Sequence, residues 1–278
     1  GSVTSVYGAA SGATIGGDVN ISVQNATVSS ITAGGCGISH GAIPAVVEGS
    51  TNIVIGSNAV ISNNVYGGGW GDGASWPSVI KGNSNITLVG NATVGGTITG
   101  TGWSSEYDTV EGIKTLNLGT SEQAYNGTSA LKVANFDKIN VSAGSTAQIE
   151  SITQNLSGSI LGTRTSIANG GKLEVLGDVV NNITDATNEG SFVGGLTGGE
   201  AVVSGTVKTV IDGENTALHF VYGGNGGNQQ TVLGKTVPIG TSKVGAVELT
   251  VNNGKIDMIV ASGAMYSDVD GNVSLNIN

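Results

Sequence analysis

The sequence predicts an all-β chain folded as a right-handed parallel β-helix (a β-solenoid), forming a single elongated domain. Three observations predict it. Glycine fills 48 of 278 positions, about one residue in six against a usual share of about 7%. Val, Ile and Leu recur along the whole chain without a helical period, and mean hydropathy is +0.15. Most directly, one strand pattern returns at a nearly constant step, and a fixed period of about 20–50 residues marks stacked repeats. No Gly-X-Y triplet persists, so collagen is excluded, and the density of β-branched and apolar residues excludes disorder.

The first element of each repeat is a glycine followed by an alternating strand. Gly17, Gly49, Gly82 and Gly112 mark the steps. Apolar residues stand four and six positions after each: Ile21/Val23, Ile53/Ile55, Ile86/Leu88 and Leu116/Leu118. Alternation puts these on one face of a strand. Coils stacked about 4.8 Å apart would therefore align them in an inward column, with Asn20, Asn52 and Asn85 in a column facing out. The second element follows as Asn25-Ala26-Thr27-Val28, Asn58-Ala59-Val60-Ile61 and Asn91-Ala92-Thr93-Val94. It runs into a glycine corner at Gly34-Gly35, at Gly67-Gly68-Gly69, and at Gly100 with Gly102. Val-Tyr-Gly recurs at 6–8, 65–67 and 221–223.

Clear repeats thus cover 1–118, degenerate ones 119–240, and clear ones again 241–278, where Gly245 and Gly271 precede Leu249/Val251 and Leu275/Ile277. Irregular loops are expected near 36–45, 70–79 and 119–130. A β-sandwich would need hairpins at a spacing of about 8–12 residues, and few clean two-residue hairpin signals occur.

The glycine-rich, arginine-poor repeats resemble the β-helical passenger regions of bacterial autotransporters and related surface exoproteins. The segment 109–149 is especially similar, through Val110-Glu111-Gly112-Ile113-Lys114-Thr115-Leu116-Asn117-Leu118 and Val133-Ala134-Asn135-Phe136-Asp137-Lys138-Ile139-Asn140-Val141. The resemblance implies export, a bacterial cell-surface location, and an adhesive or self-associating, non-enzymatic role. It also implies partners among cell-surface receptors, glycans or further copies of the chain. The translocator barrel of an autotransporter does not occur in this sequence.

Charge narrows the partners. Ten Lys+Arg against twenty Asp+Glu give a net charge of −10. Non-specific nucleic-acid binding needs clustered cations, and attraction to anionic membranes needs a basic patch. Neither partner is expected, nor is direct membrane insertion. Arg164 is the sole arginine, and the single cysteine, Cys36, reads as a small buried apolar residue.

Aromatic residues give the first candidate binding site. Trp70 and Trp103 stand one repeat apart, each at a glycine corner, and Cys36 holds that corner one repeat earlier. With Trp76 and Tyr107 they could form an aromatic strip for stacking on sugar rings, or they could simply seal the edge of the coil. Loop carboxylates and His40, namely Asp72, Glu106 and Asp108 beside Trp76 and Tyr107, could act as an acid pair on a polysaccharide. Solvated loop side chains are the simpler account of them, and no catalytic residue is assigned. Two histidines and one cysteine far apart in sequence cannot make a zinc site. Residues 223–231 approach a calcium-binding nonapeptide with asparagine where aspartate is required, and 268–272 lack the distal glutamate of a calcium loop. No metal or cofactor is expected. Asn-X-Ser/Thr sequons abound, as they must by chance in such a composition.

The two ends of the chain read as complementary halves of one repeat: 271–278 is a first half, and 2–8 resembles a second. This leads to an expectation of head-to-tail pairing into a filament through Val3, Val6, Val273, Leu275 and Ile277. Excision from a longer tandem array explains the same pattern.

Overall fold

A computed structural model describes residues 1–36, 43–71, 76–104, 107–160, 162–188 and 190–278. Among these the chain is all-β, built from parallel strands stacked as a β-solenoid. It falls into two compact units, Gly1–Ile139 and Asn140–Asn278.

In the first unit each coil contributes to three parallel sheets. The strands Val19–Val23, Thr51–Ile55, Ser84–Leu88 and Lys114–Leu118 pair in register, so that Ile21, Ile53, Ile86 and Leu116 share one row. Val19–Val23 alternates buried and exposed residues, as the pattern predicts. The row from Ile53 to Leu116 is essentially sealed from solvent. A second sheet stacks Thr14–Ile15, Ala45–Val47, Ser78–Ile80 and Asp108–Val110. The third stacks Ser2–Tyr7 on Thr27–Thr32, then continues through Val60–Ile61 and Val65–Tyr66 to Thr93–Val94, Thr97–Thr99 and Lys132–Ala134.

Side-chain ladders hold the corners of this unit. After the glycine corner, Asp18 Oδ1 accepts the Ser50 N–H at 2.7 Å, Ser50 Oγ accepts the Asn83 N–H at 3.0 Å, and Asn83 Oδ1 accepts the Ile113 N–H at 2.9 Å. On the outer face the Asn52 amide donates to Asn20 and the Asn85 amide to Asn52, both at 3.0 Å. At the next corner Asn58 donates to Asn25 and Asn91 to Asn58, again at 3.0 Å. Asn25 and Asn58 have φ of 50° and 57°, the left-handed conformation that asparagine tolerates best after glycine. The loop 119–130 is free of strands, as expected, but it delivers Tyr125 into the core at 1% exposure. Burial pushes the Tyr125 hydroxyl up to about 12.

The second unit repeats the scheme with longer strands. Ile152, Val179, Val207, Val247 and Val273 form one row across five parallel strands. Further along the same strands, Leu156, Ile183, Ile211, Val251 and Ile277 form another. Gly177 and Gly205 therefore stand where Gly245 and Gly271 stand, inside the stretch whose repeats read as degenerate. The coils there are in register; what is lost is the apolar residue four positions after glycine, replaced by Asn181 and Thr209. Asp178, just after the Gly177 corner, accepts the Thr206 N–H at 2.8 Å and the Lys208 ammonium at 2.7 Å. The lysine bond above all holds the Asp178 carboxyl below its usual range.

An antiparallel hairpin, Asn228–Val232 with Lys235–Ile239, accounts for the long step from Gly205 to Gly245. It closes on Leu233 and Gly234, with φ of 50° and 74°. Two-residue hairpin turns ask for two positive φ values, normally supplied by Asn-Gly or Asp-Gly. Leucine in the first place hides the signal.

Candidate functional site

The tryptophan corner of the first unit is built from backbone contact upward. The Trp70 N–H donates to the Gly35 carbonyl at 2.9 Å and the Trp103 N–H to the Gly69 carbonyl at 3.0 Å. Each tryptophan thus hangs from the glycine of the coil before it. Cys36 bridges to Trp70 in parallel fashion, completing the predicted column, though it is only partly buried. The coils approach so closely that a Cβ on Gly69 would run into the Gly35 carbonyl and the Ser78 side chain. Only glycine fits there.

This spacing stacks the two indoles, with centroids 5.5 Å apart and planes tilted by 46°. Trp70 is 37% exposed and Trp103 57%, so both present ring surface to solvent. Trp76 and Tyr107 are partly buried. Trp76 Nε1 is enclosed and has no hydrogen-bond partner among the described residues. Of the predicted strip of four aromatics, Trp70 and Trp103 form an exposed, tilted pair, while Trp76 and Tyr107 are half-covered.

Asp108 anchors the pair, a role that sequence reasoning did not assign. Its carboxylate accepts the Gly71 N–H at 2.5 Å, directly after Trp70, and the Ser104 N–H at 2.7 Å, directly after Trp103. A third bond comes from the backbone of Ser78. The side chain is buried, and desolvation pushes its carboxyl up to about 6 against the downward pull of those N–H donors. Asp108 is therefore an internal clamp and not the solvated loop acid of the sequence reading. The strand's period of two was the available signal, since it places Asp108 two residues before Val110 and so on the same inward face. His40, Asp72 and Glu106 lie outside the described residues.

The near-miss calcium motifs have structural uses. Asn225 is fully buried; its Oδ1 accepts the Leu196 N–H at 2.8 Å, and its amide donates to the carbonyls of Lys243 and Ala201 at 3.0 and 3.3 Å. Asp268–Val269 is a short strand paired with Lys243 and Val244. Among the described residues no group of three or more His, Cys, Asp or Glu side chains could hold a metal.

The residues expected to self-associate lie on outer strands. Ser2–Tyr7 pairs with Thr27–Thr32, and Val273–Ile277 with the Val247–Val251 stretch. Val3, Val273, Leu275 and Ile277 are exposed, and Val6 is half-buried. No helix among the described residues is long and apolar enough to cross a membrane.

Comparison of the chain with family models, with curated proteins and with solved structures gives no match.

Proposed function

We propose that this protein is a non-enzymatic structural or adhesive solenoid of an extracellular, bacterial surface. The observation that carries the reading is the set of inter-coil ladders. Coil after coil, Asp18, Ser50, Asn83 and the asparagine rows hold neighbouring backbone and side chains in register. Repeat positions used this way make a stiff scaffold on which surface features are displayed. The location rests on the resemblance of the repeats to exported β-helical passengers, and the acidic composition is in keeping with it.

The exposed Trp70–Trp103 pair favours a second reading, in which the scaffold displays a glycan-binding corner. Two indoles held by backbone bonds offer flat apolar area without the cost of ordering flexible side chains. A glycan array and a cell-adhesion assay, each with the wild type and a Trp70→Ala/Trp103→Ala double variant, test both readings. Adhesion retained by the variant supports the first, and specific glycan binding lost with the indoles supports the second. Depolymerisation of a bound polysaccharide by the wild type overturns the non-enzymatic reading.

A further inference from the structure

The hairpin that lengthens one coil of the second unit stands apart from the stacked sheets. Its strands, Asn228–Val232 and Lys235–Ile239, pair with each other and with no other strand among the described residues. Residues 229–236 are all exposed, and Leu233 at the tip is 99% exposed. A two-stranded hairpin without a third strand is marginally stable in water. The turn weakens it further. Leu233 takes a φ of 50°, a left-handed conformation that the Cβ of leucine disfavours and that asparagine or glycine adopts at less cost. Leu233 buries nothing that would offset this, so the tip opens locally at low cost.

Directly after the turn comes a basic residue. Lys235 is exposed and has no carboxylate partner among the described residues. Thr236, not proline, follows it, and no Asp or Glu occurs between Glu214 and Glu248. Endopeptidases that cleave after basic residues seat the lysine on a carboxylate and need the flanking chain extended. An opened hairpin supplies both. The other basic residues are tied into the coils. Lys138, Lys172, Lys208 and Lys243 lie in strands paired on both sides. Lys81 and Lys114 hold Glu48 and Asp137, and Arg164 is 5% exposed. Lys132 and Lys255, the most open rivals, begin strands paired to Thr97–Thr99 and Ala217–Tyr222.

We propose that the Lys235–Thr236 bond is a processing site for an endopeptidase specific for basic residues, and that the cut chain stays assembled as two pieces. Water adds across the amide, leaving a carboxylate on Lys235 and an ammonium on Thr236, both in solvent at the tip. The cut releases the Leu233 turn and breaks no hydrogen bond of the stacked sheets, since the hairpin belongs to none of them. The piece 236–278 stays anchored because Ser242–Val251 lies between Thr197–Asp212 and Val273–Ile277. There Val244, Val247 and Leu249 are 1% exposed or less. Lys255–Val260 likewise stays on Ala217–Tyr222. The site is independent of both readings of the function given above.

Limited digestion of the folded full chain with trypsin, followed by intact mass measurement, tests this. The first products expected are 1–235 and 236–278, which elute together on gel filtration in buffer and separate in urea. Lys235→Gln should abolish that cut and slow the loss of intact chain by about tenfold or more. Leu233→Asn keeps the lysine and installs Asn-Gly at the turn. It should slow the cut by about fivefold, because cleavage follows the open fraction of the hairpin. Dividing each rate by that of the same variant unfolded in urea removes any sequence preference of the protease. A first cut at another residue, an unchanged rate in Leu233→Asn, or pieces that part in buffer overturns the proposal.

Discussion

Four positions after its corner glycines, the unit Gly1–Ile139 stacks Ile21, Ile53, Ile86 and Leu116, whereas the unit Asn140–Asn278 stacks Gln154, Asn181, Thr209 and Leu249 in the equivalent row. All of the latter are 5% exposed or less. An inward isoleucine gains about 1.5–3 kcal/mol from burial. An inward amide gains only about 0.5–1.5 kcal/mol, and only when it finds a partner. Asn181 finds two, donating to the Gly194 carbonyl at 2.8 Å and to Thr209 Oγ1 at 3.2 Å. Gln154 Oε1 is enclosed with no partner among the described residues. The contrast teaches that parallel stacking fixes the register of the backbone in both units, while the interior can be apolar or hydrogen-bonded at the same rung.

The largest test of that contrast is Ile86→Asp. The new carboxylate would sit between Ile53 and Leu116 with no cation or donor in the row, and an unpaired buried charge is among the most damaging changes known. A loss of about 4 kcal/mol or more is expected, a large share of the roughly 5–15 kcal/mol that holds a typical domain together. Urea unfolding followed by circular dichroism should show a sharply lowered midpoint. A midpoint near the wild type would mean that the apolar row is not what holds the first unit.

A smaller effect probes the buried carboxyl of the tryptophan corner. Asp108 titrates at about 6 in the folded chain and at about 3.9 when unfolded. The folded state binds this proton more tightly, so the associated stability is fully present below about pH 4 and is lost as pH rises through about 6. The difference in unfolding free energy between the wild type and Asp108→Asn should therefore move by about 2 kcal/mol against the wild type between pH 4 and pH 7. Groups common to both proteins cancel in that difference. A difference that stays flat would show that the three N–H donors, and not burial, set the state of this carboxyl.

The same contrast explains what could be read from residues alone. The first unit was legible because its rows are chemically pure. Isoleucine above isoleucine and asparagine above asparagine at a constant step announce both the inner and outer faces, and the asparagine ladder has the form the spacing implies. In the second unit the step between Gly177, Gly205, Gly245 and Gly271 lengthens and then shortens again, and Asn181 and Thr209 look like surface residues. A search for apolar alternation passes over them. At the candidate site the sequence placed Trp70 and Trp103 on one corner by their spacing of one repeat, and the structure stacks them there.

The finest test asks why an amide occupies the inner row at all. Asn181→Ala removes the donor to the Gly194 carbonyl and leaves that buried acceptor, and the Thr209 hydroxyl, short of a partner. Together with the small void, a loss of about 1–3 kcal/mol is expected by urea unfolding. Asn181→Leu separates packing from hydrogen bonding. Leucine restores the volume and matches Leu249 two coils on, so it should recover part of the alanine loss. It cannot donate, so it should stay less stable than the wild type. If Asn181→Leu equals or exceeds the wild type, the row tolerates either chemistry and the amide contributes register at no net gain in stability. If it falls below even the alanine variant, the rung is shaped for the amide and cannot open to a branched chain.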